Sequence, residues 1–166
     1  MAANMFVQIS DITGDATEDA HKKWIVIQSA SWNVERAVEM TDLGSTQRMH
    51  ANSNFGKIEV TSQMGKASND LALSVANGTV RPEIIMHWCR SGDSASSGLL
   101  VYSIWKLKHV VIDSYAISAS EDGIPEETWT MAYAAMEHEY KSTDQKTGKL
   151  STENNFKWNV QTGKVE

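Results

Sequence analysis

The feature that most constrains this chain is a two-residue hydrophobic period that returns along most of its length. Alternation of apolar and polar side chains is the mark of strands with one buried face. It predicts strands at Met5 to Ser10, Trp24 to about Arg36, Lys57 to Met64, Pro82 to Arg90, Leu99 to about Ala119, Glu127 to Lys141, and a last one around Phe156, Trp158 and Val160. In the second strand Trp24, Val26, Ala30, Trp32 and Val34 share one face, with Ile25, Ile27, Ser29, Ser31 and Asn33 on the other. In the third, Ile58, Val60 and Met64 point inward. Pro82 is placed at the first position of its strand, where a missing donor is tolerated. The Leu99 strand is expected to bend near Asp113-Ser114. In the Glu127 strand Trp129, Met131 and Tyr133, then Met136 and Tyr140, face inward, so the phase slips by one at Ala134-Ala135 and predicts a β-bulge.

One helix interrupts this pattern. Ser68 is its expected N-cap, Asp70 suits the positive end of the dipole, and Gly78 ends it in a left-handed turn. Leu71, Ala72, Val75 and Ala76 form its apolar stripe. The expected fold is mainly β: a small closed or nearly closed β-barrel of two packed antiparallel sheets, with one flanking α-helix and a long extended loop. With 166 residues the chain suits a single domain, 1–166, able to bury roughly 70% of the surface its unfolded form exposes. Two connections stand out: Gly92 to Gly98 (GDSASSG), read as a hairpin loop, and Ala37 to Gly56, about 20 residues without a sustained period. The second carries Met40, Leu43, Met49 and Phe55, which either pin it to its own barrel or reach a neighbouring subunit.

Composition narrows the function. The net charge is −6, against a general nucleic-acid binder, which needs a basic face. No segment is long and apolar enough to cross a membrane, and the N-terminus has neither the basic start nor the apolar stretch of a signal peptide. Cys89 is the only cysteine, so no internal disulfide staples the fold, and it reads as a small buried side chain rather than a nucleophile.

The motifs of chemistry are not found: no Gly-x-Ser-x-Gly elbow, phosphate loop, dinucleotide fingerprint, His-Glu-x-x-His or paired Cys-x-x-Cys. His87 and Cys89 share a strand face and could supply two metal ligands, where zinc needs three or four. His109 and Asp113 are four strand residues apart, roughly 13 Å, too far for a dyad. His138 points away from Glu137 and Glu139, and His50 lies in the long loop. The densest titratable stretch is GDATEDAHKKW, with Asp15, Glu18, Asp19 and His21. Its spacing does not match a calcium loop, and Gly14 precedes the acids instead of following them. It reads as a capped turn that launches the Trp24 strand, with His21 packed at the strand base. No catalytic residue, metal ligand or cofactor is assigned, and no enzyme is expected.

That same stretch, Gly14-Asp15-Ala16-Thr17 followed by His21-Lys22-Lys23-Trp24-Ile25, resembles the haemolysin-coregulated protein (Hcp) family of type VI secretion systems. The likeness continues in order through GKIEVTSQMGKASNDL, YSIWKLKHVVIDSYAIS, PEETWTMAYAAMEHEY and FKWNVQTGK, covering nearly the whole chain. The chain carries Asn69 where relatives commonly have Pro after the helix-start Ser, and the 37–56 loop has no matching motif.

The resemblance implies a structural protein without catalysis or cofactor. It would form homohexameric rings that stack into the expelled inner tube, and could carry small effector proteins in the lumen. Its partners would be itself, contractile sheath proteins, a spike protein and small effectors, with no nucleic acid and no membrane insertion. It would be cytoplasmic before firing and then secreted or delivered to a target cell without a signal peptide. No fused toxin domain is expected after Glu166. Met40, Leu43, Met49 and Phe55 are the expected subunit-contact group. The competing readings are a tail-tube protein of a contractile phage-like particle and a monomeric ligand-binding β-barrel.

Overall fold

Alternation becomes strand over most of the chain. The computed structural model describes residues 4–38, 52–92 and 98–166. In chain order it has β1 (Met5–Ile9), a short 3-10 turn (Asp19–His21), β2 (Ile25–Val26), β3 (Ser29–Ser31), β4 (Val34–Arg36), β5 (Ser53–Phe55) and β6 (Ile58–Gln63). There follow α1 (Ser68–Asn77), β7 (Val80–Ser91), β8 (Leu99–Ser118), β9 (Glu126–Ala132), β10 (Ala135–Thr143) and β11 (Leu150–Asn159). Of the expected contact group, Met40, Leu43 and Met49 lie outside the described residues, as does His50.

Nine of these strands make one antiparallel sheet in the order β2-β1-β7-β8-β9-β6-β3, from which β10 branches off β8 and carries β11 on its far side. β4 and β5 form a separate two-stranded ribbon. The expected mainly β fold with antiparallel sheets and a helix holds; the sheets are one branched sheet and a ribbon, and no strand pairing among the described residues closes a barrel. The two ends of the path are nonetheless consecutive in sequence. Ile27 N–H bonds to the Met5 carbonyl at 3.1 Å and Gln28 N–H to the Thr61 carbonyl at 2.8 Å. At that dipeptide the backbone leaves β1 and takes up β6.

This exchange breaks the single strand expected from Trp24 to Arg36 into three pieces, and it reverses the faces. Ile25 and Ile27 are buried in the main core, yet three residues on Ala30 and then Trp32 pack against the same core. One side-chain period cannot describe both halves, because a one-residue shift turns every side chain over.

β8 is the spine. Its one edge pairs with β7 from Val80 to Ser91, and its other pairs first with β10 and then with β9. The bend expected near Asp113-Ser114 is present as a register shift between Ile112 and Ser114, while the strand itself continues. The bulge expected at Ala134-Ala135 is instead a break at Tyr133-Ala134: β9 goes on to β6 and β10 to β11. Pro82 is the third residue of β7, not the first. It lies where the β7–β8 register would oppose His109, whose φ is 50°, and neither residue takes part in the ladder. A strand proline has no donor to give, so the partner is free to kink there.

Val7, Val60, Leu71, Ile84, Leu107, Val110, Trp129 and Met131 fill the core with no measurable exposure. Each such side chain contributes about 1.5–3 kcal/mol through burial. Two expected core residues are outside it: Met64 is 48% exposed and Tyr140 46%. In β6 the inward position next to Val60 is taken by Ser62, which is buried.

α1 packs beside β8 through Leu71 and Ser74. Gly78 stops it with φ 66°, its N–H bonding to the Ser74 carbonyl at 3.1 Å, a conformation that a glycine takes without strain. Ser68 is not the cap. It sits inside the first turn, buried, and its hydroxyl accepts from the Gly65 N–H at 2.9 Å. The helix is tied to the sheet by Arg81, 4% exposed, whose Nε and Nη2 fork meets both Asp11 carboxylate oxygens at 2.9 and 3.2 Å. Its Nη2 also donates to Ser74 Oγ at 2.8 Å, and that hydroxyl donates to the Asp70 carbonyl.

Cutting Arg81→Ala strands Asp11 and Ser74 and opens a hole under the helix. The expected loss is about 2 kcal/mol in urea unfolding, moderated because Asp11 is partly solvated. Lys22→Ala in the solvent-exposed Asp19 pair is the control and is expected to stay within about 0.5 kcal/mol.

Candidate functional site

The acidic stretch near the N-terminus folds as a pinched loop. Gly14 N–H bonds to the Lys23 carbonyl at 2.7 Å, Lys23 N–H to the Ala16 carbonyl at 2.9 Å, and Ala16 N–H to the Trp24 carbonyl at 3.0 Å. A side chain at Gly14 would collide with the Trp24 carbonyl, so the close approach itself requires glycine. The three acids part company. Asp15 accepts from the Lys66 N–H at 2.9 Å and so clasps the turn before α1. Asp19 pairs with Lys22 on the surface. Glu18 alone turns inward.

Glu18 accepts a hydrogen bond from Nδ1 of His21, a ring only 1% exposed. That ring lies flat against Phe6 at 4.4 Å and meets Trp24 edge-on. Its Nε2 is 2.9 Å from Nδ1 of His87 and 3.9 Å from Cys89 Sγ. His21 Nδ1 donates to Glu18, and a single proton between His21 Nε2 and His87 Nδ1 makes the second bond. The expectation that His21 packs at the strand base holds, and Glu18 and His87 are the partners that sequence did not supply. They lie three residues before His21 and 66 after it, and only the β1–β7 pairing brings the second within reach.

The electrostatics are those of a structural cluster. Burial, then the charge of His21, pushes His87 down to about 4. Burial, then the Glu18 carboxylate, pushes the Cys89 thiol up to about 11. A nucleophilic cysteine needs the opposite shift. Among the described residues, no group of three or more His, Cys, Asp or Glu side chains is placed to hold a metal ion.

The remaining candidates are also absorbed by packing. Burial raises the Asp113 carboxyl, but hydrogen bonds from Lys57 and Thr130 outweigh it and hold that carboxyl below the usual range. His138 stacks on Trp105 at 4.1 Å and bonds to Ser103 Oγ at 2.8 Å, while Glu137 pairs with Lys157 on the other face. Glu127, also 1% exposed, was not picked out by the sequence pattern. It accepts from Ser62 at 2.9 Å and Tyr115 at 2.7 Å, and Trp129 Nε1 donates to the same Ser62 hydroxyl. Phe55 stacks on Trp158 at 5.7 Å, and Phe156 and Trp32 complete an aromatic cluster between the ribbon and β11.

What is left open is an edge. Among the described residues β11 pairs with β10 on one side only, and most of its residues are exposed. An unpaired strand of this length is a template for association.

Comparison with known proteins places this architecture. The family model described as type VI secretion system effector, Hcp, matches residues 6–140. A solved type six secretion system protein is 26% identical, with a TM-score of 0.88, over 99% of this chain and 100% of its own. Hcp1 from Salmonella typhimurium is 20% identical, with a TM-score of 0.75, over the full length of both chains. A type VI secretion system effector from Yersinia pestis is 20% identical, with a TM-score of 0.69, over 95% of this chain and 100% of its own. The last two likenesses bear on the fold. No curated protein sequence matches the chain.

The cluster makes a pH prediction. His87 binds a proton more readily unfolded than folded, so its contribution to stability is complete above about 6.5 and is lost as the pH falls towards 4. Allowing for solvent around a half-buried ring, the loss is on the order of 1 kcal/mol. Urea unfolding at a series of pH values between 7 and 4 is expected to show a shallower acid slope for His87→Asn than for the unsubstituted protein.

Proposed function

The chain belongs to the Hcp family of type VI secretion tube proteins, and on that premise we propose that six copies close into a ring and that rings stack into the expelled inner tube. The family match carries this reading. The family assembles into rings within the secretion system; six-fold closure, stacking and cargo are the proposal.

Two structural features support it. A head-to-tail ring needs two unlike surfaces on each subunit. The β11 edge offers backbone donors and acceptors for one of them, and we assign it to the lateral contact. The second surface is assigned to the 37–56 segment, with Met40, Leu43, Met49 and Phe55 as its contact group. Phe55, the described member of that group, stacks on Trp158 of its own subunit.

The stack would be enclosed by sheath proteins, tipped by a spike protein, and loaded with small effectors in the lumen. The subunit would wait in the cytoplasm and leave through its own machine. No helix among the described residues is long and apolar enough to cross a membrane. A rigid wall also needs no catalytic centre, in keeping with the Cys89 thiol and the His87 imidazole that burial holds neutral.

Light scattering on a sizing column tests the ring. A mass near six times 18.4 kDa with annular particles in negative stain is expected. A peak at 18.4 kDa that persists through micromolar concentrations contradicts it. Replacing residues 40–50 by a short Gly-Ser linker is expected to leave rings intact and abolish stacking. Unchanged stacking would remove this segment from the axial contact.

A further inference from the structure

Almost every buried polar group described so far has a partner; one pair of neighbours does not. Trp88 Nε1 and the Nε and Nη2 atoms of Arg90 are buried and have no hydrogen-bond acceptor among the described residues. The two residues are two apart on β7, roughly 6.6 Å along the strand, with a shift in the β7–β8 register between Trp88 and Cys89. Orphaned buried donors are costly, more so when they belong to a charge. The other buried donors without partners are of a different kind. Arg81 Nη1 is the spare nitrogen of a guanidinium already paired with Asp11 and Ser74, and Thr143 Oγ1 is a single hydroxyl.

The geometry of the two Arg90 atoms is informative. Nε–H and one Nη2–H lie parallel on one edge of the guanidinium and match the two oxygens of a carboxylate. The protein itself demonstrates this fork at Arg81, where Nε and Nη2 hold the two oxygens of Asp11. Arg90 presents the same edge with no carboxylate among the described residues to meet it, and a guanidinium cannot shed its charge.

Trp88 also lines an apolar cavity of about 250 Å³, together with Ala30, Ser31, Trp32, Ile58, Met86 and Trp105; Arg90 follows two residues on along β7 and is not itself in the lining. Trp88 thus belongs to the cavity and to the row of unpartnered donors at once. Trp32 and Trp105 meet nearly edge-on at 5.5 Å, and Trp88 is tilted against Trp105 at 5.4 Å, an arrangement suited to hold a flat ring. The volume is below that of drug-sized pockets and above the roughly 150 Å³ that accepts benzene, so it selects a small guest.

We propose that this is a binding site for a small aromatic carboxylate. The ring lies among Trp32, Trp88 and Trp105, and the carboxylate sits on the Nε and Nη2 edge of Arg90 with Trp88 Nε1 as a third donor. The site is independent of the tube reading. It requires only the folded subunit.

The test is calorimetric titration of the purified protein, in whatever assembly it forms, with 2-naphthoate and with its neutral analogue 2-naphthamide. 2-Naphthoate is expected to bind with one site per chain. The amide, and 2-naphthoate against Arg90→Gln, are expected to bind at least tenfold more weakly, as loss of a charge-assisted fork implies. Arg90→Lys, which keeps the charge without the fork, is expected to recover only part of the loss. Far-ultraviolet circular dichroism of each variant verifies that the fold persists. Equal affinity for acid and amide, or unchanged affinity in Arg90→Gln, would overturn the proposal. So would failure of 2-naphthoate to bind at millimolar concentration. Binding to dissociated subunits alone, lost on assembly, would assign the donors to a carboxylate of a neighbouring copy and would equally overturn it.

Discussion

Everything in this fold is arranged around one strand of twenty residues whose middle, Ser103 to Val111, is paired on both edges. A strand of that length cannot stay flat, because right-handed twist accumulates along it. β8 relieves the problem at identifiable points. One is His109, in a left-handed backbone conformation opposite the proline of β7. The other is the register shift between Ile112 and Ser114. Between these points the partner on its second edge changes from β10 to β9. The break at Tyr133-Ala134 is held by an Ala134 N–H bond to the Lys108 carbonyl. From that fork β9 leads back to β6 and β3, and β10 leads out to β11. The curl and the exposed arm have one cause.

The same constraint explains what the sequence makes legible. Alternation reports which side of a strand is wet, and it places β1, β6 and β8 to within a few residues. Gly78 marks the helix end because only a left-handed residue suits it. The irregularity at Asp113-Ser114 and the phase change near Ala134 were both readable, but alternation does not say whether a slip is a bulge or a parting of strands. It carries no information about pairing partners, so the exchange at Ile27-Gln28 was hidden and the run from Trp24 looked like one strand. Ser62 and Glu127 were passed over because they are polar; they are buried because each satisfies the other. The acidic cluster was legible as a turn. His87, across a sheet pairing 66 residues away, was not.

Three buried polar networks follow from this architecture. Glu18, His21 and His87 pin the N-terminal loop to β7. Ser62, Tyr115, Glu127 and Trp129 bind β6, β8 and β9. Asp11, Ser74 and Arg81 bind the loop after β1, the helix and β7. Networks of this kind, with nearly every polar atom partnered, favour one arrangement of the chain over its alternatives. That suits a wall component, which must keep its shape while neighbours bear on it. The chemistry usually sought in such histidines and carboxylates is spent on holding strands together. On the outside, the long edge of β11 is open among the described residues.

The most direct test is hydrogen exchange of the β11 amides, measured in the native assembly and in subunits dissociated from it. The account predicts that outward-facing amides between Leu150 and Asn159 exchange slowly in the assembly and quickly once the subunits part, while those bonded to β10 change little. Fast exchange along that edge in a particle of six-subunit mass would contradict it. The lateral contact would then lie elsewhere on the molecule.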